Sequence, residues 1–353
     1  MADRETVRGI EALCRGDLDS RELRDRIGAH LSRRLGVDAF CFGTIDPVTL
    51  LVTDHITQGI PPDAAAGAAH NEYVVDDVLK YAVLARAQLP AGVLSEATGG
   101  DPKLSHRYRA LLPRIDARHE LRAAFVVDGS CWGAMSLFRH GRRPDFSPAD
   151  VDLFRRLSVP VGAALRRAAH RPGPGAGSAP DQAGVLVLDH HLRLLTANPA
   201  GQRWLDDLAA PAAALPIAVL DVAARGRNAA LGAYGRIRGR SGRWLSVQAS
   251  PLPGQGQPAT IAVLICPAPA SEVTGIMQLA YGLTPRECAV LDHVIAGRPT
   301  REIAGRLHIT TSTVQDHMKA IFTKAGVRSR GELVARMLDG AFDEAPPDVP
   351  SGG

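Results

Sequence analysis

Residues 283–337 read LTPRECAVLDHVIAGRPTREIAGRLHITTSTVQDHMKAIFTKAGVRSRGELVARM and decide the C-terminal fold. Thr284 and Pro285 open a helix: the hydroxyl caps it, proline gives up no needed N–H, and Glu287 completes a capping box. Val290, Leu291 and Val294 then recur at helical spacing until Gly297. A second helix runs from about Thr300 to Leu307, with Ile303, Ala304 and Leu307 on one face. The short turn His308–Ile309 leads to Thr310, the expected cap of a third helix over 311–325. There Val314, Met318, Ile321 and Ala325 face inward, and Gly326 ends the element. Residues 331–337 predict a fourth helix.

The outward face of the third helix carries Ser312, Gln315, Asp316, Lys319 and Thr323. A helix of this kind fits the DNA major groove, where only outward side chains reach base edges. Glutamine pairs with adenine, lysine with guanine or phosphate, and aspartate accepts from a cytosine amine. An ordinary helical hairpin with a solvated polar face shows the same periodicity, so periodicity alone leaves both readings open.

The segment resembles the LuxR-type DNA-binding domain of bacterial transcriptional regulators. The resemblance rests on LTPRE, the AG after the first helix, REIA, TTSTV and KAGVRSRGELV, in that order and spacing. It implies that the helix from Thr311 is the recognition helix. The implied DNA-contacting set is Thr311, Ser312, Thr313, Gln315, Asp316, His317, Lys319, Thr323 and Arg328. His317 would touch phosphate or pack on the second helix. Members often carry a basic residue where this chain has Gln315, and Asp316 adds a negative charge, so a shallower salt dependence is expected.

The chain has 353 residues, enough for roughly two or three domains, and its net charge of +4 is mild. That charge suits a DNA-binding protein and many enzymes alike. No apolar run reaches membrane-spanning length and the N-terminus lacks a signal core, so a cytoplasmic protein without membrane contact is expected. The five cysteines are scattered without CxxC spacing and are expected to be free thiols. A redox role for Cys131 beside Trp132 is the minor alternative.

The stretch RPGPGAGSAP, 171–180, predicts a flexible linker, PAPASEVTG at 267–275 a weaker one, and 344–353 a disordered tail. Residues 1–170 predict an α+β domain: a helix over 20–35, strands over 40–45 and 50–57, and a helix over 73–85. A hairpin turning at Asp128-Gly129 follows, then a long helix opened by Ser147, Pro148 and Asp150. This layout resembles a GAF-type sensory domain, most closely in CWGAMSLFRHGRRPDFSPADVDLFRRLSVPVGAAL. Residues 181–268 predict a second α+β domain resembling a PAS-type fold, with Asn198, Pro199 and Ala200 at its strand-to-helix turn. The helix-turn-helix unit is placed at 276–343, all-α and four-helical.

No phosphate loop, hydrolase signature or receiver-type acidic cluster appears, and no cofactor or enzyme activity is expected. Metal ligation is not expected either: His190 and His191 should face apart, His119-Glu120 lacks a second ligand at usable spacing, and none of the three is placed in a site. Cys41, Phe42, Val126 and Trp132 would line a small pocket or form core, with core favoured. The expectation is a one-component transcriptional regulator that binds double-stranded DNA as a homodimer. Its helix at 147–169 and its PAS-like sheet are candidate interfaces. RNA polymerase and an unidentified small molecule are candidate partners. Two other classes are the alternatives. One is a signalling enzyme with a helix-turn-helix appendage, which would need a catalytic constellation in residues 1–266 that the sequence does not show. The other is an interaction protein whose module dimerises without binding DNA.

Overall fold

A computed structural model describes residues 2–169, 182–208, 215–227, 232–252 and 260–338. The expected linker at 171–180 and the tail at 344–353 lie outside them.

The first domain begins with α1 (Ala2–Arg15) and α2 (Ser20–Leu35). Asp19 caps α2 by accepting from the Glu22 amide at 2.8 Å, and Gly36 ends it at φ 61°. Strands β1 (Ala39–Ile45) and β2 (Val52–Gln58) follow, then α3 (Ala65–Tyr73), α4 (Tyr81–Leu84), β3 (Ala91–Val93), α5 (Leu94–Ala97) and α6 (His106–Ala110). Strands β4 (Ala117–Val127) and β5 (Ser130–His140) form the expected hairpin. Asp128 and Gly129 both have positive φ, as a two-residue hairpin turn requires. Helix α7 (Pro148–Ala169) closes the domain. Its predicted capping box is present: the Ser147 amide donates to Asp150 at 2.8 Å, and the Asp150 amide donates to the Ser147 hydroxyl at 3.3 Å.

The five strands pair antiparallel in the order β2-β1-β5-β4-β3. Alternation gives this sheet two buried faces. Phe40, Leu137 and Leu121 stand in one cross-strand row, with Phe42, Met135 and Ala123 in the next. They pack on Leu23, Ile27 and Leu31 of α2 and on Phe154, Leu157 and Val161 of α7. The other face carries the row Thr57, Cys41, Ser136 and Arg122. The four residues weighed as pocket lining therefore separate: Cys41 faces a cavity, Phe42 and Trp132 are core, and Val126 packs half-buried against a smaller apolar cluster.

The helix expected over 73–85 is corrected. Helix α3 ends at Tyr73, and only Tyr81–Leu84 is helical beyond it. Lys80 ends α3 by donating to carbonyls near its C-terminus, among them that of Glu72 at 2.9 Å. Leu79, at φ 56°, turns the chain away.

The second domain holds β6 (Gly184–Leu188), β7 (Leu194–Ala197), α8 (Pro199–Asp207), α9 (Ile217–Gly226), β8 (Ala233–Arg238), β9 (Trp244–Leu252) and β10 (Thr260–Pro267). Its strand order, β7-β6-β10-β9-β8, repeats that of the first sheet. Asn198 does what its place at the turn predicts. Its side chain accepts from the amides of Gly201 and Val185 and donates to the Ala183 carbonyl, tying α8 to β6. His190 and His191, expected to face apart, bring their rings to 3.8 Å. They sit in a turn, closed by Asp189 accepting from the His191 and Arg193 amides, and a turn lets neighbouring side chains converge.

Helix α9 lies between its own sheet and α3 of the first domain. Two polar links join the domains, one at this contact and one between the β1–β2 turn and β8. Tyr73 donates to Asp221 at 2.9 Å, and Arg236 donates through Nε and Nη2 to both oxygens of Asp46 at 3.1 Å.

Residues 267–275, expected as a linker, are mostly helix α10 (Ala270–Ala280). Val273, Ile276 and Met277 recur at helical spacing and join the core of the C-terminal module, together with Trp244 of β9. Pro269 and Gly275 made the stretch look linker-like. The apolar surface contributed by the next module outweighs their propensity cost. Helices α11 (Pro285–Ile295), α12 (Thr300–Leu307), α13 (Thr311–Ala325) and α14 (Arg330–Leu338) complete the structure. Among the described residues, no helix is long and apolar enough to cross a membrane.

Candidate nucleic-acid interface

Helix α13 is held from behind and capped at both ends. Val314, Ile321 and Ala325 are buried against α11 and α12, and Met318 and Phe322 pack beside them. Thr310 caps the N-terminus, accepting from the Thr313 amide at 3.1 Å. Gly326 ends the helix at φ 66°. The predicted box on α11 is also present. The Glu287 amide donates to Thr284 at 3.3 Å and the Thr284 amide to Glu287 at 2.6 Å. Lys324 then donates to Glu287 at 2.6 Å, pinning the end of α13 to the start of α11. That lysine is consequently spent on structure.

Of the expected contact residues, Thr311, Ser312, Gln315, Asp316, Lys319, Thr323 and Arg328 are exposed. Thr313 and His317 are half-buried. The hydroxyls of Ser312 and Thr313 each lie 2.8 Å from that of Thr310, within the cap. Thr323 donates back to the Lys319 carbonyl at 2.9 Å, which uses its only donor inside the helix. Gln315, Asp316 and Lys319 share one exposed stripe. The first turn of α13 adds backbone N–H groups beyond the cap, a fit for phosphate oxygen.

His308, between α12 and α13, adopts φ 55° and ψ 46° and donates its amide to the Ala304 carbonyl. A side chain there strains the backbone by about 1–2 kcal/mol. His308→Gly should stabilise the C-terminal module and raise its thermal midpoint, the gain being about 1 kcal/mol at most after the larger unfolded-state entropy of glycine. A destabilised His308→Gly variant would show that the imidazole holds the turn by some other contact.

A second constellation escaped the sequence reading. Glu72, Arg107, Glu120, Arg122 and Asp221 line one cavity of about 150 Å³ between the first sheet and α9. Arg107 donates through Nε to both oxygens of Glu120, at 3.0 and 2.8 Å, through Nη1 to Asn71 and through Nη2 to the Val78 carbonyl. Arg122 donates to Glu72 at 2.8 Å and lies 3.7 Å over the Tyr81 ring. Burial pushes the Asp221 carboxyl well above the ordinary carboxylate range. Glu120 and Arg122 alternate along β4 on one face. A solvated strand face looks the same, so only the covering helices reveal the burial.

The cysteines are free thiols. Burial raises Cys131 and Cys41 to about 12, which leaves almost no thiolate near neutral pH and argues against a redox role.

The family described as bacterial regulatory proteins of the luxR family matches residues 282–337, the segment that forms α11–α14. The spore germination protein GerE of Bacillus subtilis is 36% identical over 56 residues, covering 16% of this chain and 76% of GerE. The chain belongs to the LuxR family. The transcriptional regulatory protein TdiR of Thauera aromatica is 37% identical over 65 residues, 18% of this chain and 29% of TdiR. The chain thus spans under a third of TdiR's length, within the LuxR-type module. Among solved structures, Escherichia coli SdiA aligns along 96% of this chain and 97% of its own at 12% identity and TM-score 0.38. The GAF domain of a Coxiella burnetii phosphoenolpyruvate-protein phosphotransferase covers 48% of this chain and 95% of its own at 15% identity and TM-score 0.35. At these scores neither likeness bears on fold or function.

Proposed function

We propose that this chain is a one-component transcriptional regulator that binds DNA as a homodimer through α13, under control of its first two domains. The observation that carries the reading is the exposed stripe Gln315, Asp316 and Lys319 on a helix clamped from its opposite face. Thr311, Ser312 and Arg328, exposed around the helix start and the following turn, are read as backbone contacts. His317 and Thr313 are half-buried, and Thr323 is self-bonded, so all three are placed lower in the contact set. No catalytic role, cofactor or membrane contact enters this reading, and cytoplasmic location and contact with RNA polymerase go with it.

We place the domains at 1–170, 181–268 and 276–343 as expected, and add α10 to the third because its apolar face completes that core. Both sheets have helices inserted between their second and fourth strands, and a closing helix follows the late hairpin of the first. This layout supports the GAF-like and PAS-like readings. A lone module of this size covers little DNA, so useful affinity needs two copies. Helix α7 offers less apolar surface to a partner, because most of its apolar residues pack on β4, β5 and α1 and only Val159 among its large ones is exposed. The outer face of the second sheet suits the role better. Val185, Leu264, Gln248 and Tyr234 form one row across four strands, with Val185 40% and Tyr234 48% exposed.

The test is in vitro selection of random DNA by the full chain at two salt concentrations. Enrichment of an inverted repeat is expected. Gln315→Ala and Lys319→Ala should each weaken binding about 5- to 150-fold, the worth of a lost base contact of about 1–3 kcal/mol. Tyr234→Glu should shift sedimentation toward monomer and weaken operator binding without touching α13. Selection that enriches nothing, from a dimeric and folded chain, would leave the interaction-protein reading in its place.

A further inference from the structure

The cavity beneath α9 is built from two domains. Cys41, Ser136 and Arg122 form its floor on the first sheet, Ala65 of α3 its side, and Ile217 and Asp221 of the second domain its far wall. A closed apolar void of about this volume accommodates one benzene-sized ring. This one is mostly apolar at its wall, yet it holds a charge-paired guanidinium with donors left over. Arg122 is 4% exposed, and its Nε and Nη1 make no hydrogen bond among the described residues. Glu120, at 3.9 Å from Nε, is too far to accept. Neighbouring Arg107, equally buried, has an acceptor for each of its nitrogens. Buried donors left without acceptors are costly, and an acceptor brought by a ligand removes that cost.

Charge narrows the choice. Arg107, Arg122 and Lys80 stand in and beside the cavity against Glu72, Asp77 and Glu120, so the site is already balanced. Burial favours the neutral forms of Asp221 and His55. A charged ligand would add a buried, unpaired charge. Cys41 is held as a thiol, so capture there is non-covalent.

We propose that this cavity binds a neutral molecule of single-ring size whose carbonyl-type oxygen accepts from Arg122, in a site completed by Ile217 and Asp221. Its regulatory meaning rests on the sensory reading above, because the ligand would lie against α9. The binding itself does not.

The test uses the full-length chain with benzamide, toluene and benzoate, followed by ligand-observed NMR and calorimetry. Benzamide, with about 9 heavy atoms, should bind saturably in the high-micromolar to millimolar range. Toluene, lacking the oxygen, and benzoate, carrying the charge, should each bind at least about 10-fold more weakly, the worth of one well-made hydrogen bond to a cation. Arg122→Lys should weaken benzamide more than toluene. Ala68→Phe, at an exposed position on the rim, should abolish binding while leaving the melting curve unchanged. No saturation by benzamide, equal affinity for toluene, tighter binding of benzoate, or indifference to Ala68→Phe would each overturn the proposal. Benzamide binding that leaves operator affinity unchanged would uphold the site and remove its link to DNA.

Discussion

Asp46→Ala should destabilise the chain by about 3–5 kcal/mol, the usual consequence of removing one partner from a buried ion pair. Asp46 lies in the turn between β1 and β2, with its side chain 1% exposed, and Arg236 on β8 is 6% exposed. The pair is bidentate. Asp46 also accepts from the amides of Val48 and Thr49, so the substitution loosens the turn as well. Arg236 reaches further still, donating Nη1 to the Glu272 carbonyl in α10. One guanidinium therefore touches all three domains. The expected result is a lower thermal midpoint, with the first domain melting apart from the rest. The paired substitution Asp46→Leu with Arg236→Met should recover most of the loss, because apolar side chains replace buried ion pairs well. A double variant no more stable than Asp46→Ala would show that the pair's geometry, rather than its charge balance, docks the domains.

Glu120→Ala should lower stability by about 3 kcal/mol, at the low end for an unpaired buried charge. Glu120 is fully buried and accepts both strong bonds from Arg107 Nε. Asp77 remains 3.5 Å from Arg107 and keeps part of its charge paired, so the loss stays below the upper limit. Glu120→Gln keeps an acceptor and should lose about half as much. Urea unfolding followed by fluorescence in a Trp204→Phe, Trp244→Phe background, which leaves Trp132 of the same domain as the reporter, reads both. Equal losses for Gln and Ala would mean that charge, and not hydrogen bonding, holds Arg107.

The C-terminal module was legible residue by residue. Its capping box at Thr284 and Glu287, the cap at Thr310, the glycine stop at 326 and the inward set Val314, Ile321 and Ala325 all follow from local rules. The hairpin turn at Asp128-Gly129 and the box at Ser147 and Asp150 were legible for the same reason. These signals act within a few residues, so sequence order preserves them. The misreadings came where distant groups decide. Lys80 ends α3 by binding carbonyls behind it, which periodicity over 73–85 does not encode. Helix α10 forms on a stretch rich in Pro and Gly because Val273, Ile276 and Met277 find a partner core.

By itself, the sequence determined the LuxR-type module, the exposed stripe of its third helix and the alternation of strands and helices before it. Each depends on contacts between near neighbours in the chain. Tertiary structure alone decided that Asp46 meets Arg236, that Tyr73 meets Asp221, and that Glu120 and Arg122 face a covered cavity rather than water. Charged residues alternating on a strand read the same whether solvated or buried. Only the helices packed over them, α3 from the first domain and α9 from the second, remove the water and turn ordinary surface chemistry into a site.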